Sequence, residues 1–128
     1  MKRKCVSLLL ITVCLAGIYP IKAHASDEID LLALAVESAA SGESYTVMVS
    51  LASVLLNRVL ADEYPTSLAA VIADAGMDIS SVVSSPQALR AARDALSGFD
   101  PTGGALSFGK AEADPPFLRL KAGTWCFY

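Results

Sequence analysis

The chain has 128 residues, 54% of them hydrophobic, and its 10 basic and 13 acidic side chains give a formal net charge of −3. This length allows one domain. The acidic excess argues against nucleic acid and anionic lipid surfaces as partners, because both carry negative charge.

A signal peptide is predicted at residues 1–25. Three basic residues follow Met1, and the apolar run over 5–18 is too short to span a bilayer comfortably. Ala23 and Ala25 are small residues at the two positions that a signal peptidase reads, so cleavage is predicted before Ser26. The mature protein, residues 26–128, is therefore expected to be secreted. The alternative is an uncleaved segment, which would be the domain's only attachment to the membrane.

Cleavage would restrict the available chemistry. It would remove the only histidine, His24, together with Cys5 and Cys14, and would leave 6 basic and 13 acidic residues with a net charge of −7. Without an imidazole, neither a Ser-His-Asp nor a Cys-His site can form, and zinc cannot be held by histidine. Cys126 alone cannot form an internal disulfide, so we interpret it as a small buried hydrophobic residue. We predict neither a metal nor a cofactor.

Four helices are predicted in chain order, at residues 26–40, 44–61, 68–75 and 85–96. Serine or a turn residue stands at each start, Gly42 and Gly76 follow the ends of the first and third helices, and Pro86 occupies the first position of the fourth. The second helix has apolar residues on all of its sides, which is typical of a buried helix. We expect it to form the centre of the domain.

From Gly98 onward the pattern changes. The segment 100–104 reads Asp-Pro-Thr-Gly-Gly, a strong turn signal, and short strands are predicted at 105–108, 117–120 and 124–128. These strands would form a small antiparallel sheet at the carboxyl end. The predicted fold class is therefore α+β, mostly helical, with a central buried helix.

Five segments in chain order resemble the SleB-type cell wall hydrolase family, which includes spore-cortex-lytic enzymes. They are residues 41–45 with the helix that ends at 54–59, residues 64–68 with 71–72, residues 88–95, residues 98–106, and residues 127–128. No single motif is specific, but five in the same order cover nearly the whole mature chain. The chain therefore resembles this family.

The resemblance implies a lysozyme-like domain that cuts peptidoglycan glycan strands between N-acetylmuramic acid and N-acetylglucosamine, at the cell wall or the spore. Growth, sporulation and germination all stay open as the stage of its action. Members resemble lytic transglycosylases, in which one glutamic acid acts first as acid and then as base. One carboxyl group can suffice because the 6-hydroxyl of the substrate closes the anhydro ring. Such an acid must be partly desolvated to stay protonated.

The sequence departs from the family pattern where substrate would bind. Ala39 occupies the position of the acid, and alanine cannot donate a proton. The resemblance also places five further residues at substrate-contacting positions, most of them changed from the family pattern. They are Met77, Asp78, Ser107, Phe108 and Trp125.

Three acids are candidates to replace the missing one. Glu37 lies about 200° around the helix from Ala39 and faces away. Glu43 would lie on the side of Ala39 if the first helix continued that far, and it is the best candidate for a catalytic residue. It also matches the second glutamate of the family, which has a structural role at the start of the central helix. Asp78 is either a relocated acid or a local turn former.

A few further residues allow specific predictions. Trp125 and Tyr128 are expected to pack in the core, although stacking on a sugar ring is the alternative. Arg58 is expected to cap the central helix and pair with an acid, and Arg90 and Asp94 are expected to form a weak surface pair.

Two hypotheses stay open. In the first, the protein cleaves glycan strands with Glu43 as the acid. In the second, it is a non-catalytic relative that binds the cell wall or a protein partner.

Overall fold

The computed structural model describes residues 27–111 and 113–128, so the predicted signal peptide lies outside the described residues. Four helices precede a three-stranded sheet. The helices are α1 (residues 27–40), α2 (Tyr45–Leu60), α3 (Leu68–Asp74) and α4 (Pro86–Leu96), and the strands are β1 (Phe108–Lys110), β2 (Leu120–Ala122) and β3 (Trp125–Phe127). The α+β architecture predicted from the sequence is confirmed.

Local sequence signals set the helix boundaries. The side chains of Ser44, Ser67 and Ser85 cap α2, α3 and α4 by accepting hydrogen bonds from backbone N–H groups three residues later. Gly42 and Gly76 adopt left-handed backbone conformations, with φ of 76° and 72°, and this ends the preceding helices. The helix predictions are correct to within one residue.

The central helix α2 is buried over most of its length, but not to its end. Every residue from Val47 to Leu55 is buried. The last turn is only partly buried, since Val59 still packs against the core whereas Leu60 is 84% exposed. The prediction of a helix buried on all sides is therefore wrong for this turn.

The predicted sheet exists, but two of its strands begin later than expected. Its order is β1-β3-β2, and β3 is antiparallel to both neighbours. Before β1, the N–H groups of Leu106 and Ser107 both bond the carbonyl of Tyr128, an irregular pairing that delays the regular ladder to Phe108. Before β2, Phe117 has a φ of 66°, which is incompatible with an extended strand.

A hydrogen-bonded turn at residues 98–105 attaches the sheet to α2. Asp100 accepts hydrogen bonds from the N–H and hydroxyl of Thr102 and from the N–H of Gly104. The Asn57 amide on α2 donates to both Asp100 and the carbonyl of Ala105, each at 3.0 Å. Burial acts to raise the pKa of Asp100, but these hydrogen bonds outweigh it and lower the pKa below its ordinary value. The turn thereby holds the segment that leads into β1 against α2.

In the described part of the chain, no helix combines the length and apolar character needed to cross a membrane.

Candidate functional site

A cleft of about 360 Å³ opens between the end of α1, the segment that follows α3, and the start of β1. Its lining combines small, apolar and polar side chains from these three parts of the chain. The lining residues are Ser38, Ala39, Ala75, Gly76, Met77, Asp78 and Phe108. Four residues singled out from the sequence, Ala39, Met77, Asp78 and Phe108, are thus brought together.

The cleft offers one carboxyl group among the described residues, that of Asp78. This residue is exposed, and its Oδ1 accepts hydrogen bonds from the N–H of Ser80 at 3.0 Å and from its hydroxyl at 2.7 Å. These two bonds lower the pKa of Asp78. A general acid needs a raised pKa, so the environment of Asp78 favours the wrong protonation state for proton donation.

Glu43 lies beyond the end of the first helix. Helix α1 ends at residue 40 and is followed by a turn through Gly42, whose φ is 76°. Glu43 Oε1 lies 3.6 Å from Lys110 Nζ, and the Glu43 side chain is 35% exposed. Glu43 also does not line the cleft. The sequence prediction placed Glu43 on the side of Ala39 only if α1 continued to residue 43, and α1 ends at residue 40.

Glu37 is engaged elsewhere, as its position around the helix predicts. Its Oε2 accepts hydrogen bonds from the N–H of Ser85 at 3.1 Å and from the Ser85 hydroxyl at 2.7 Å, and its Oε1 accepts one from Ser41 at 3.0 Å. Together these bonds, led by the one from the Ser85 side chain, lower the pKa of Glu37 despite the opposing effect of burial. This carboxylate connects α1 to the start of α4.

The aromatic residues of the sheet lie in two places, the cleft and the core. Phe108 lines the cleft, whereas Trp125 is only 6% exposed and lies between Phe108 and Phe127, with ring centroids 6.3 Å from each. Lys110 Nζ lies 5.2 Å from the centroid of the Trp125 ring. Neither Trp125 nor Ser107 lines the cleft. Trp125 therefore supports the wall that Phe108 forms.

Arg58 has different partners from those predicted. Its Nε donates to the carbonyl of Leu106 at 2.7 Å, and its guanidinium lies 4.9 Å from the Tyr64 ring centroid and 5.4 Å from that of Phe108. It forms no ion pair with an acid within residues 27–111 and 113–128. Arg58 takes these partners because two aromatic faces and a carbonyl converge on the end of α2, and planar guanidinium groups stack well on aromatic rings.

Arg90 and Asp94 form the predicted surface pair at 3.9 Å. The sequence did not reveal that the Tyr45 hydroxyl donates to Asp94, or that Arg90 also stacks on the Tyr45 ring at 4.7 Å. Residues 45 and 94 are far apart in the chain, and no local pattern connects them.

A second depression, of about 480 Å³, lies between the carboxyl-terminal halves of α2 and α4. It contains Asp100, whose two oxygens are already bonded by the turn and by Asn57. None of the residues predicted to contact substrate lines it. No group of three metal-binding side chains occurs in the described ranges.

The helical domain, the small sheet and the cleft define a lysozyme-like α+β protein. The sequence model of the family described as Cell Wall Hydrolase matches residues 42–128, and the chain belongs to this family. The match begins three residues after Ala39.

Known proteins with similar sequences are spore cortex-lytic enzymes. The chain is 34% identical to that of Bacillus cereus over 91 residues, which cover 66% of this chain and 35% of the relative. It is 36% identical to that of Halalkalibacterium halodurans over 91 residues, covering 66% of this chain and 28% of the relative. The chain thus spans about a third of the length of these curated relatives.

Two solved structures are similar over most of the domain. The catalytic domain of the Bacillus cereus SleB protein aligns with a TM-score of 0.66 and 29% identity, covering 80% of this chain and 89% of that chain. The catalytic domain of the germination-specific lytic transglycosylase SleB from Bacillus anthracis aligns with a TM-score of 0.65 and 31% identity, covering 78% and 92%. The resemblance inferred from the motifs is confirmed.

Proposed function

We propose that this protein is exported, binds peptidoglycan glycan strands in the cleft beside Ala39, and does not cleave them. The observation that carries this proposal is the composition of the cleft. Alanine stands at the acid position, and the one carboxyl group in the lining, that of Asp78, is exposed and has a lowered pKa.

Cleavage of a glycosidic bond needs a proton for the leaving oxygen. That proton comes from a carboxyl group kept neutral by an apolar, water-poor environment. Glu43 is not among the residues that line the cleft, and its Oε1 lies 3.6 Å from the Nζ of Lys110. The first hypothesis, cleavage by Glu43, thus has less support than binding without cleavage.

Export is supported by the predicted signal peptide, and peptidoglycan as the ligand is supported by family membership. Its relatives include a spore cortex-lytic enzyme and a germination-specific lytic transglycosylase, and the spore cortex lies outside the cytoplasm. We therefore place the protein at the cell wall or the spore cortex.

Two measurements on the purified protein test the proposal. The first is sedimentation with insoluble peptidoglycan or spore cortex, and the second is a search for anhydro-muropeptides in the supernatant by mass spectrometry. We expect the protein to sediment and no anhydro product to form. A protein that stays in solution would refute the binding.

Anhydro-muropeptides produced by the wild type would refute the absence of cleavage. The Glu43→Gln variant then identifies the acid, because loss of the product in this variant would establish Glu43 as the donor. A product that persists would point to Asp78, which Asp78→Asn tests in the same way.

A further inference from the structure

The depression of about 480 Å³ between the carboxyl-terminal halves of α2 and α4 is a mainly apolar groove. Its apolar side chains are Leu56, Val59 and Leu60 of α2 and Ala95 and Leu96 of α4. The groove shares no lining residue with the cleft beside Ala39. It is therefore a separate surface, for which glycan binding in the cleft gives no use.

The polar groups in the groove are already bonded within the chain. The Ser53 hydroxyl lies 3.0 Å from the carbonyl oxygen of Phe99. The Asn57 amide donates to Asp100 Oδ2 at 3.0 Å, and Asp100 Oδ1 accepts from the N–H of Thr102 at 2.8 Å. Small-molecule sites orient their ligands through a few convergent polar groups, and here such groups are occupied. The lining therefore favours an apolar side chain of a protein as the occupant.

Apolar side chains also protrude beside the groove. Leu60 is 84% exposed and Phe99 is 52% exposed, although leucine and phenylalanine are among the residues most often buried. Leu60 stands at the rim of the hollow that Leu56 and Leu96 line. A protruding side chain next to a hollow of the same character makes the surface self-complementary, because a two-fold axis can place the side chain of each copy in the hollow of the other.

The charges around the groove fit the same arrangement. Arg93 is exposed and lies one turn before Leu96 on α4, whereas Asp62 and Glu63 are exposed and directly follow α2. None of these three charged residues forms an ion pair within residues 27–111 and 113–128. The α4 side of the groove is thus positive and the α2 side negative. A two-fold axis through the groove brings the α2 side of one copy against the α4 side of the other, so that opposite charges face each other.

We propose that this groove binds a second copy of the chain in a two-fold symmetric dimer. Each copy inserts its Leu60 into the groove of the other, and the Arg93 of each faces the acids that follow α2 in the other. The inference does not depend on the proposed function, because no residue that lines the cleft beside Ala39 lines the groove.

Sedimentation velocity of the purified protein over a concentration series tests the dimer. Interfaces of small area give weak and transient association, so the series should extend to about 1 mM protein. We expect the weight-average mass to rise from that of one chain toward that of two. A mass that stays at one chain up to the highest concentration would refute the proposal.

Two substitutions at equally exposed positions locate the interface. Leu60→Ser removes an apolar side chain that the dimer buries twice, once in each copy, and should raise the dissociation constant of the dimer at least about 100-fold. Val83→Ser is the matched control, because Val83 is 86% exposed and does not line the groove. It should leave the dissociation constant unchanged. A Leu60→Ser variant that dimerises as tightly as the wild type, with unchanged thermal unfolding, would place any interface elsewhere and overturn the proposal.

Charge reversal tests the two-fold arrangement. Arg93→Glu places like charges opposite each other at two symmetric positions and should weaken the dimer about tenfold. Adding Glu63→Arg to this variant should restore part of the affinity, because exchanging two charges recreates an attraction only where they face each other. A double variant that dimerises no more tightly than Arg93→Glu alone would contradict the proposed arrangement.

Discussion

Ala39 occupies the position at which the family resemblance places the catalytic acid. Ala39 lies in a cleft whose other walls include Ala75, Met77 and Phe108. A carboxyl group at this position would be partly removed from water by these residues, and burial of this kind raises the pKa of an acid toward neutrality. The surroundings of Ala39 are thus suited to a carboxyl group introduced there as a general acid.

We predict that Ala39→Glu gains glycan-strand cleavage. A well-placed general acid contributes a factor of about 10²–10⁴ in rate, so anhydro-muropeptides should rise at least about 100-fold above the wild type, measured by mass spectrometry. Ala39→Gln is the matched control, because it has nearly the same size but no acidic proton. Equal product from the two variants would mean that more than the acid has been lost.

Helices α1 and α4 are connected by hydrogen bonds through one serine, Ser85. The Ser85 hydroxyl accepts from the N–H of Ala88 at 3.1 Å, which caps α4, and it donates to Glu37 of α1 at 2.7 Å. Ser67 caps α3 in the same way through the N–H of Ala70, at an exposed position. The two caps therefore differ, because the Ser85 hydroxyl also donates a hydrogen bond to a carboxylate.

We expect Ser85→Ala to lower the free energy of unfolding by about 2 kcal/mol and Ser67→Ala by about 1 kcal/mol. The difference arises because Ser85→Ala also removes a hydrogen bond to the charged group of Glu37. Urea denaturation of both variants measures it. Equal losses would show that the bond between Ser85 and Glu37 contributes nothing to stability.

For the whole molecule, hydrogen bonds to Asp100 and Glu37 make stability depend on pH. The pKa of each is lower in the folded protein than its ordinary value. Such a group stabilises the fold at pH values above its unfolded pKa, about 4, and this contribution is lost as the pH falls through the lower folded pKa. The protein should therefore lose stability below about pH 4.

Asp100→Asn should lower the free energy of unfolding at pH 7 by about 1–3 kcal/mol, since bonds to a charged acceptor are weakened. It should also lose less stability than the wild type between pH 7 and pH 3, as followed by urea denaturation at each pH. Asp62→Asn, at an exposed position after α2, serves as the control. An acid dependence unchanged in Asp100→Asn would exclude Asp100 as a source of this stability.

Local signals were enough to predict the helices, but not the strand boundaries or which site residues meet. The caps at Ser44, Ser67 and Ser85 act over three residues, so the sequence near each helix end contains both partners. The late starts of β1 and β2 follow from Tyr128 and from the backbone of Phe117. Strand boundaries of this kind depend on distant pairing that no local window contains.

By itself, the sequence determined the helical architecture, the family and the alanine at the acid position, because these are properties of residue types in a fixed order. The tertiary structure decided which groups meet. It placed Phe108 beside Ala39, Lys110 on Glu43, and Arg58 against the carbonyl of Leu106, 48 residues away. Contacts over such separations arise from packing of the whole chain, and this packing makes Asp78 the one carboxylate among the described residues that line the cleft.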